Sequence, residues 1–191
     1  MIRLGIFASG SGTNAENFCT YFAEHPDIRV GKIYTNNPNA GVIDRAEKLN
    51  VPSQVFSQEE LKDGRLIEQL NSDRINAIIL AGYMKLIPSS LIRAFPDKIL
   101  NIHPALLPKY GGKGMYGDHV HKAVIAQGEK RSGITIHLVN EKYDEGQILF
   151  QAECDVTEED TPSSLAEKVH VLEYPHYPEQ TAAYLLGGNA S

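Results

Sequence analysis

The chain has 191 residues, of which 42% are hydrophobic and 22% are charged, and 18 basic against 24 acidic residues give a net charge of −6. This length fits one large domain with a sizeable buried core. The acidic balance argues against a general nucleic-acid-binding protein, which needs a basic surface to displace counterions. A small anionic substrate remains compatible, because a few backbone amides can hold one phosphate.

Cysteine usage and hydropathy predict a cytoplasmic protein. Cys19 and Cys154 have no spacing typical of a disulfide framework or a metal site, so we expect two free thiols. No segment approaches the roughly 20 apolar residues of a membrane span. The apolar run at residues 2–8 is too short for a signal sequence and precedes a Gly-Ser turn, so we interpret it as a strand.

Short apolar runs alternate with longer amphipathic stretches through the first hundred residues. The runs predict strands over residues 2–8, 28–35, 53–56, 77–81 and 98–101. The stretches predict helices over residues 14–25, 41–50, 58–71 and 88–95. Ser57 and Glu60 match a capping box at the start of the third helix. This alternation is typical of a parallel sheet that helices cover on both faces.

The pattern changes towards the C-terminus. Residues 134–139 and 148–154 alternate apolar with polar positions, which predicts two strands joined by a short polar connection. Residues 161–186 predict a long closing helix, kinked at Pro175 and Pro178. We therefore predict one α/β domain over residues 1–191, with a Rossmann-like, mostly parallel sheet, helices on both faces and added C-terminal strands.

A glycine-rich turn follows the first predicted strand. The segment GSGTNA at residues 10–15 matches the dinucleotide-binding fingerprint, in which glycines let backbone amides approach a phosphate at a helix N-terminus. An NAD site also needs an acidic residue at the end of the second strand, but that strand ends Tyr-Thr-Asn-Asn at residues 34–37. The turn therefore favours a single phosphate over a dinucleotide, and Thr13 or Asn14 can bind it or cap the helix.

Asn101 and His103 stand two residues apart at the end of the fifth predicted strand, directly before Pro104. Side chains at i and i+2 of a strand share one face, and ligands of such sheets bind beyond the carboxyl ends of the strands. An amide and an imidazole that converge on one atom can stabilise an oxyanion, and histidine can also shuttle a proton. The alternative is a half-buried histidine with a purely structural role.

A catalytic imidazole usually has a carboxylate partner that orients it. Asp144, in the connection between the last two predicted strands, is our candidate. Glu141 and Glu145 are rivals that spacing alone does not eliminate.

Two further patterns carry less weight. His119-x-His121 with Asp118 could suggest a metal site, but no third ligand follows at a typical spacing, and we favour an exposed helix face. No serine or cysteine lies in a nucleophile elbow.

Five segments together resemble the folate-dependent glycinamide ribonucleotide formyltransferase family. They are SGSGTN (residues 9–14), LAGYMKLI (80–87), LNIHPALLPKY (100–110), GITIHLVNEKYDEGQIL (133–149) and VLEYPHYP (171–178). They occur in the order found in that family and cover nearly the whole chain. The Asn-x-His-Pro-x-Leu-Leu-Pro segment is highly specific to folate formyltransferases and their hydrolytic relatives.

The resemblance implies formyl transfer from 10-formyltetrahydrofolate to the amine of glycinamide ribonucleotide, a step of de novo purine synthesis that yields formylglycinamide ribonucleotide and tetrahydrofolate. It implies small-molecule substrates, no metal and no nucleic-acid partner, and it is compatible with a homodimer. The implied catalytic residues are Asn101, His103 and Asp144. The implied ribonucleotide site consists of Gly12, Thr13, Asn14, His170 and Glu173. The implied folate contacts are Met84, Lys85, Leu86, Ile87, Asn101, Asn140, Glu141 and Asp144.

The chain departs from the family pattern in four places. One is SQEE at residues 57–60, a stretch where some members carry another arginine for the glutamate tail of the folate. Lys85 stands where an arginine is frequent, which predicts a weaker grip on the glutamate carboxylates of the folate. Asp-Glu-Gly at residues 144–146 replaces a common Asp-Gly-Gly, and the loop at residues 111–118 is longer than in many members.

Related activities define the alternatives. We expect neither the C-terminal tRNA-binding domain of methionyl-tRNA formyltransferases nor the N-terminal regulatory domain of formyltetrahydrofolate deformylases, because the predicted elements run from residue 2 to residue 186. Sugar-nucleotide formyltransferases share the Asn-His-Asp trio, but the phosphate turn and Glu173 favour the ribonucleotide. A non-catalytic nucleotide- or folate-binding module is a different class, against which the complete trio argues.

Overall fold

The structure is a computed structural model and describes residues 1–187. The strands are β1 (Ile2–Phe7), β2 (Ile28–Thr35), β3 (Ser53–Val55), β4 (Ala77–Leu80), β5 (Ile99–His103), β6 (Arg131–Leu138) and β7 (Ile148–Asp155). The helices are α1 (Thr13–Tyr21), α2 (Val42–Lys48), α3 (Gln58–Asp63), α4 (Arg65–Ser72), α5 (Ser89–Ala94), α6 (Asp118–Ala126) and α7 (Pro162–Gly187). Within these described residues no helix has the length and apolar character that a membrane span needs.

The strands form one sheet in the order β3-β2-β1-β4-β5-β6-β7. The pairs β1–β2, β1–β4, β2–β3 and β4–β5 are parallel, whereas β6 and β7 pair antiparallel. The predicted α/β class, a mostly parallel sheet with added C-terminal strands, is confirmed. The chain divides into two compact units, Met1–Asn101 and the part from Ile102 onwards, which we call unit 1 and unit 2. The single domain over residues 1–191 stays a prediction.

The core of unit 1 surrounds its central strands. Leu4, Ile6 and Phe7 of β1 and all four residues of β4 are buried, as expected for parallel strands that are covered on both faces. The register pairs Leu4 with Ala77 and Phe7 with Leu80, so both strands end at the same edge of the sheet. The loops that follow β1 and β4 therefore start side by side.

Tyr34 is the largest fully buried side chain of unit 1, and its hydroxyl has a hydrogen-bond partner. The hydroxyl donates to Asp73 Oδ2 at 2.6 Å, and Lys32 Nζ and Gln69 Nε2 reach the same oxygen at 2.9 and 3.0 Å. Burial, and then the bond to Asp73, raise the pKa of Tyr34, so the hydroxyl remains a donor. The arrangement satisfies a polar group that would otherwise destabilise the core.

Two predicted helices end earlier than the hydrophobic pattern indicated. The helix expected to reach residue 25 ends at Tyr21, because His25 Nδ1 accepts from the amides of Asp27 and Ile28 and turns the chain into β2. The helix expected over residues 58–71 is interrupted at Gly64, where φ is +94°. Such a left-handed residue ends α3 and lets α4 start in a new direction.

The capping box at Ser57 is confirmed. Its side chain accepts from Glu60 N at 3.1 Å, and the Glu60 carboxylate accepts from Ser57 N at 2.7 Å. These reciprocal bonds satisfy two amides of the first turn and fix the start of α3.

In unit 2, α7 packs against α6 and the β6–β7 hairpin. The predicted closing helix is confirmed as one continuous helix that contains both Pro175 and Pro178. A proline removes the amide that would bond the carbonyl four residues earlier, here those of Val171 and Tyr174. Both of these residues are exposed, so water can satisfy their carbonyls.

Substitution of Gly12 tests whether the turn between β1 and α1 requires a residue without a side chain. Its φ is +78°, and a Cβ atom there would overlap the side chain of Val42. We expect Gly12→Ala to lower the free energy of unfolding by about 2–4 kcal/mol, from left-handed strain plus overpacking. Gly10→Ala is the matched control, because a Cβ atom at Gly10 meets no atom within 4 Å. Urea unfolding of both variants is the measurement, and equal stabilities would contradict this account of the turn.

Candidate functional site

The loops after β1 and β4 meet in unit 1. Ser9 N donates to the carbonyl of Gly82 at 3.1 Å, and the Ser9 hydroxyl donates to Asn36 Oδ1 at 2.7 Å. The amide of Met84 lies 3.4 Å from the same hydroxyl. The predicted phosphate turn thus lies against the loop predicted to contact the folate.

The predicted phosphate turn leads directly into the start of α1. Gly12 is the N-cap residue and has no side chain, so no side-chain cap competes with an anion for the first-turn amides. Thr13 is half-buried and Asn14 is buried at the start of this helix. The three residues lie where a phosphate could receive both backbone and side-chain hydrogen bonds.

The asparagines at the end of β2 explain the missing acidic residue. Asn36 accepts from the Ser9 hydroxyl, and Asn37 Nδ2 donates to the Ser9 carbonyl at 3.3 Å. These side chains therefore support the predicted phosphate turn through Ser9.

The loop after β4 divides into exposed and buried positions. Met84 and Leu86 are 50% and 44% exposed, and Lys85 is exposed between them. Ile87 is buried and anchors the loop. The two exposed apolar side chains are suited to a flat aromatic ligand, whereas Ile87 serves the core of unit 1.

His103 and Asp144 meet in unit 2. His103 Nδ1 lies 3.5 Å from Asp144 Oδ2, and both side chains are largely buried. Glu141 is exposed, and Glu145 is exposed and paired with Lys142 at 3.0 Å. Of the three carboxylates that the sequence left open, Asp144 is the one brought to His103. Asn101 precedes His103 by two residues on β5 and is half-buried.

A glycine pair seats Asp144. The amide of Gly112 donates to Asp144 Oδ2 at 2.9 Å. A Cβ atom at Gly111 would lie 3.2 Å from Asp144 Cβ and 2.6 Å from Leu107 Cδ2. The first residues of the long loop at 111–118 therefore contact the carboxylate directly.

Two histidines of unit 2 were not assigned to the site from the sequence. His137 on β6 is buried, and its Nε2 lies 3.6 Å from Asp144 Oδ1. The sequence feature that could have indicated His137 is its place in a predicted strand of alternating apolar and polar residues. In the structure, residues 132–138 of this strand are all buried. His121 on α6 is also buried, which corrects the expected exposed helix face, although its neighbour His119 is exposed. Among residues 1–187 no group of three potential ligands could hold a metal.

Burial and the neighbouring charges set the protonation of the pair. Burial lowers the pKa of His103 below its ordinary value, although Asp144 acts in the opposite direction. Burial acts to raise the pKa of Asp144, but His137, the charge of His103 and the Gly112 amide together lower it. In the protein without substrate, desolvation of the His103 imidazolium therefore outweighs the attraction of Asp144, and the net effect is a lowered pKa of His103.

His170 and Glu173 form a second acid–imidazole pair on α7. His170 Nδ1 lies 2.9 Å from Glu173 Oε2, and this hydrogen bond raises the pKa of His170. Glu173 is 5% exposed, whereas half of the His170 side chain is accessible. The carboxylate is thus fixed in place and can accept hydrogen bonds from hydroxyl groups.

Asn140 accepts from the amide of Lys142 at 2.9 Å and shapes the turn that precedes Asp144.

A cavity of about 380 Å³ in unit 1 lies away from all of these residues, beside β3 and the α3–α4 pair. Its lining contains none of the predicted site residues, so we do not assign the reaction to it.

A model of the formyl transferase family matches residues 2–181. The chain belongs to this family. It is 42% identical over 190 residues to the chloroplastic phosphoribosylglycinamide formyltransferase of Arabidopsis thaliana, which covers 95% of this chain and 64% of the relative. It is 36% identical to the phosphoribosylglycinamide formyltransferase of Bacillus subtilis, over 99% and 97% of the two chains.

Solved structures of the formyl transferase family agree with this fold. Glycinamide ribonucleotide transformylase 1 from Symbiobacterium toebii superposes with a TM-score of 0.90 at 32% identity, over 98% of this chain and 89% of the other. The chain spans 64% and 60% of the lengths of two plant relatives, from Arabidopsis thaliana and Vigna unguiculata. The resemblance inferred from the five segments is confirmed at the level of the family.

The contact between His103 and Asp144 can be tested by titration. We expect Asp144→Asn to lower the pKa of His103 further, because the carboxylate is the neighbour that favours the imidazolium. NMR titration of the His103 ring measures this change. Glu145→Gln is the matched control, since Glu145 pairs with Lys142. An equal effect of both variants would show that net charge, and not the contact, sets the pKa.

Proposed function

We propose that the chain transfers the formyl group of 10-formyltetrahydrofolate to the amine of glycinamide ribonucleotide. The contact of 3.5 Å between His103 and Asp144, at the end of the strand that carries Asn101, is the observation on which the proposal rests. The Bacillus subtilis relative, which is named phosphoribosylglycinamide formyltransferase and aligns over nearly the full length of both chains, supports the choice of reaction.

The chemistry requires stabilisation of a developing oxyanion. The substrate amine attacks the formyl carbon, and the formyl oxygen gains negative charge. Asn101 donates through its amide, and His103 donates through the Nε2–H that now bonds the carbonyl of Tyr110 at 2.7 Å. A neutral imidazole is a competent donor for this purpose.

Asp144 handles the proton of the attacking amine. Its lowered pKa keeps it ionised, so it can accept that proton directly or through a water molecule. The proton then passes to N10 of the folate as tetrahydrofolate leaves. The buried setting strengthens these interactions because little water screens them.

The remaining predicted residues bind the two substrates. Gly12, Thr13 and Asn14 hold the phosphate at the start of α1. Glu173 accepts from the ribose hydroxyl groups, with His170 as its partner. The folate ring lies against Met84 and Leu86, while the exposed Lys85 supplies a point charge for the glutamate tail. Asn140 and Glu141 complete the folate contacts from the turn that carries Asp144.

Location and assembly stay predictions. Cytoplasmic location, the homodimer and the lack of a nucleic-acid partner rest on composition and on the family resemblance. Measurement of mass in solution tests the dimer.

A direct assay of formyl transfer from 10-formyltetrahydrofolate to glycinamide ribonucleotide tests the proposal. We expect turnover, and thermal stabilisation by each substrate. Stabilisation without turnover would favour a binding module, and stabilisation by NAD alone would favour a dehydrogenase.

Removal of the imidazole tests the oxyanion role. We expect His103→Ala to lower kcat by about 10²–10³, the usual loss for one oxyanion donor, while the ribonucleotide still binds. His119→Ala is the control, because His119 is exposed on α6. A His103→Ala enzyme that turns over near the unmodified rate would assign His103 a structural role only.

Truncation of Asn14 tests the phosphate turn. We expect Asn14→Ala to raise KM for the ribonucleotide by about tenfold, the cost of roughly one charge-assisted hydrogen bond, and to leave KM for the folate nearly unchanged. Steady-state kinetics with each substrate varied in turn is the measurement. An equal rise of both constants would contradict the assignment of the turn to the phosphate.

A further inference from the structure

The loop of residues 104–110 begins at His103 and ends against the same imidazole. It leaves β5 directly after the histidine, and at its far end the carbonyl oxygen of Tyr110 lies 2.7 Å from His103 Nε2. A carbonyl oxygen can only accept a hydrogen bond, so Nε2 carries a proton. Burial lowers the pKa of His103, and a neutral imidazole has a single N–H. The loop therefore selects the tautomer of the neutral ring in which Nε2 is the donor.

Asp144 favours the other tautomer. Its Oδ2 lies 3.5 Å from His103 Nδ1, and a carboxylate accepts a stronger hydrogen bond than a neutral carbonyl does. If the carbonyl of Tyr110 moved away, the ring proton would be more stable on Nδ1, where it could bond Asp144. The Nε2–H tautomer thus depends on the position of Tyr110.

The side chain of Tyr110 is held by Glu129, which lies between α6 and β6. The Tyr110 hydroxyl donates to Glu129 Oε1 at 3.0 Å, and Lys109 Nζ donates to the same oxygen at 2.9 Å. These two bonds lower the pKa of Glu129, so the carboxylate stays ionised and can accept both. Tyr110 has a φ of +58°, which is uncommon for a bulky residue and persists where surrounding contacts hold it. We call Lys109, Tyr110 and Glu129 the loop anchor.

The middle of the loop is fixed separately. The buried Thr135 of β6 donates to the carbonyl of Ala105 at 2.7 Å and accepts from the amide of Leu107 at 3.0 Å. Gln151 Nε2 of β7 donates to the carbonyl of Leu107 at 3.0 Å. The part of the loop that is left for the loop anchor to position is therefore residues 108–110, which end at the carbonyl that faces the imidazole.

We propose that Glu129 is a positioning residue of the reaction: it holds Tyr110 so that the carbonyl of Tyr110 keeps the His103 proton on Nε2, the nitrogen that donates to the formyl oxygen. Glu129 acts through Tyr110 and His103 and needs no substrate contact of its own. The proposal rests on the proposed function for the use of the Nε2–H donor, whereas the position of the ring proton can be measured without turnover.

The first test is a ¹⁵N NMR spectrum of the whole chain, labelled with ¹⁵N-histidine, at about pH 8, where the lowered pKa leaves His103 neutral. The His103 signals are those missing from the spectrum of His103→Gln. We expect the proton on Nε2 in the unmodified protein. In Tyr110→Phe and in Glu129→Ala the tautomer ratio should shift towards Nδ1–H by about fivefold, the change that one neutral hydrogen bond makes to an equilibrium. A proton on Nδ1 in the unmodified protein, or a ratio that either variant leaves unchanged, would overturn the proposal.

The second test separates positioning from general stability. We expect both variants to lower kcat by up to about fivefold, in proportion to the Nε2–H tautomer that is lost, and to leave KM for both substrates nearly unchanged. A rise of KM with an unchanged kcat would contradict a role in orienting the donor.

Glu158→Ala is the matched control. Glu158 is also a carboxylate of unit 2 that pairs with a lysine, here the exposed Lys130 at 3.4 Å. This variant should change neither the tautomer ratio nor kcat. Equal effects of Glu129→Ala and Glu158→Ala would attribute the result to the lost charge and would overturn the role of Glu129.

The two proposals can fail separately. If the chain lacks formyl transfer and the variants still shift the tautomer of His103, the proposed function fails and the control of the tautomer by Glu129 stands. If the chain transfers formyl groups while the tautomer is the same in both variants, the role of Glu129 fails and the proposed function stands.

Discussion

The arrangement of unit 2 depends on one buried carboxylate. Taking an ionised group out of water costs several kcal/mol unless hydrogen bonds and opposite charge replace the lost hydration. The amide of Gly112 donates a hydrogen bond to Asp144, and the imidazoles of His103 and His137 lie beside its two oxygens. Segments far apart in sequence thus each contribute a neighbour to a single buried carboxylate.

This requirement explains local features that otherwise have no evident purpose. Asp144 itself has a positive φ of 55°, which is uncommon for a residue other than glycine and is held here by the contacts of its side chain. Gly111 lacks the Cβ atom that would crowd Asp144, and Gly112 turns its amide towards the carboxylate. The start of the loop at residues 111–118 therefore contacts the predicted catalytic carboxylate directly.

The proposed phosphate turn of unit 1 has a different requirement, the presentation of backbone amides to an anion. Gly12 permits the left-handed turn, and Asn36 and Asn37 at the end of β2 hydrogen-bond to Ser9. The absence of an acidic residue after β2 is consistent with this use, because a carboxylate beside the turn would repel a phosphate. Unit 2 thus stabilises a negative charge of its own, the carboxylate of Asp144, whereas the proposed role of unit 1 is to offer backbone amides to the negative charge of a ligand.

The sequence by itself determined the fold class, the capping box, the pairing of the last two strands and the family, because these depend on periodicity, on neighbours along the chain and on a specific motif. It also placed Asn101 and His103 on one strand. It left three carboxylates open, predicted an exposed face for His121, extended the helix through Gly64 and assigned no role to His137. Only the tertiary structure decided these points. The choice among Asp144, Glu141 and Glu145 depends on which side chain reaches a buried imidazole, and the net pKa of His103 depends on how burial compares with a nearby charge. Residue spacing determines neither the carboxylate that reaches His103 nor the pKa of that histidine.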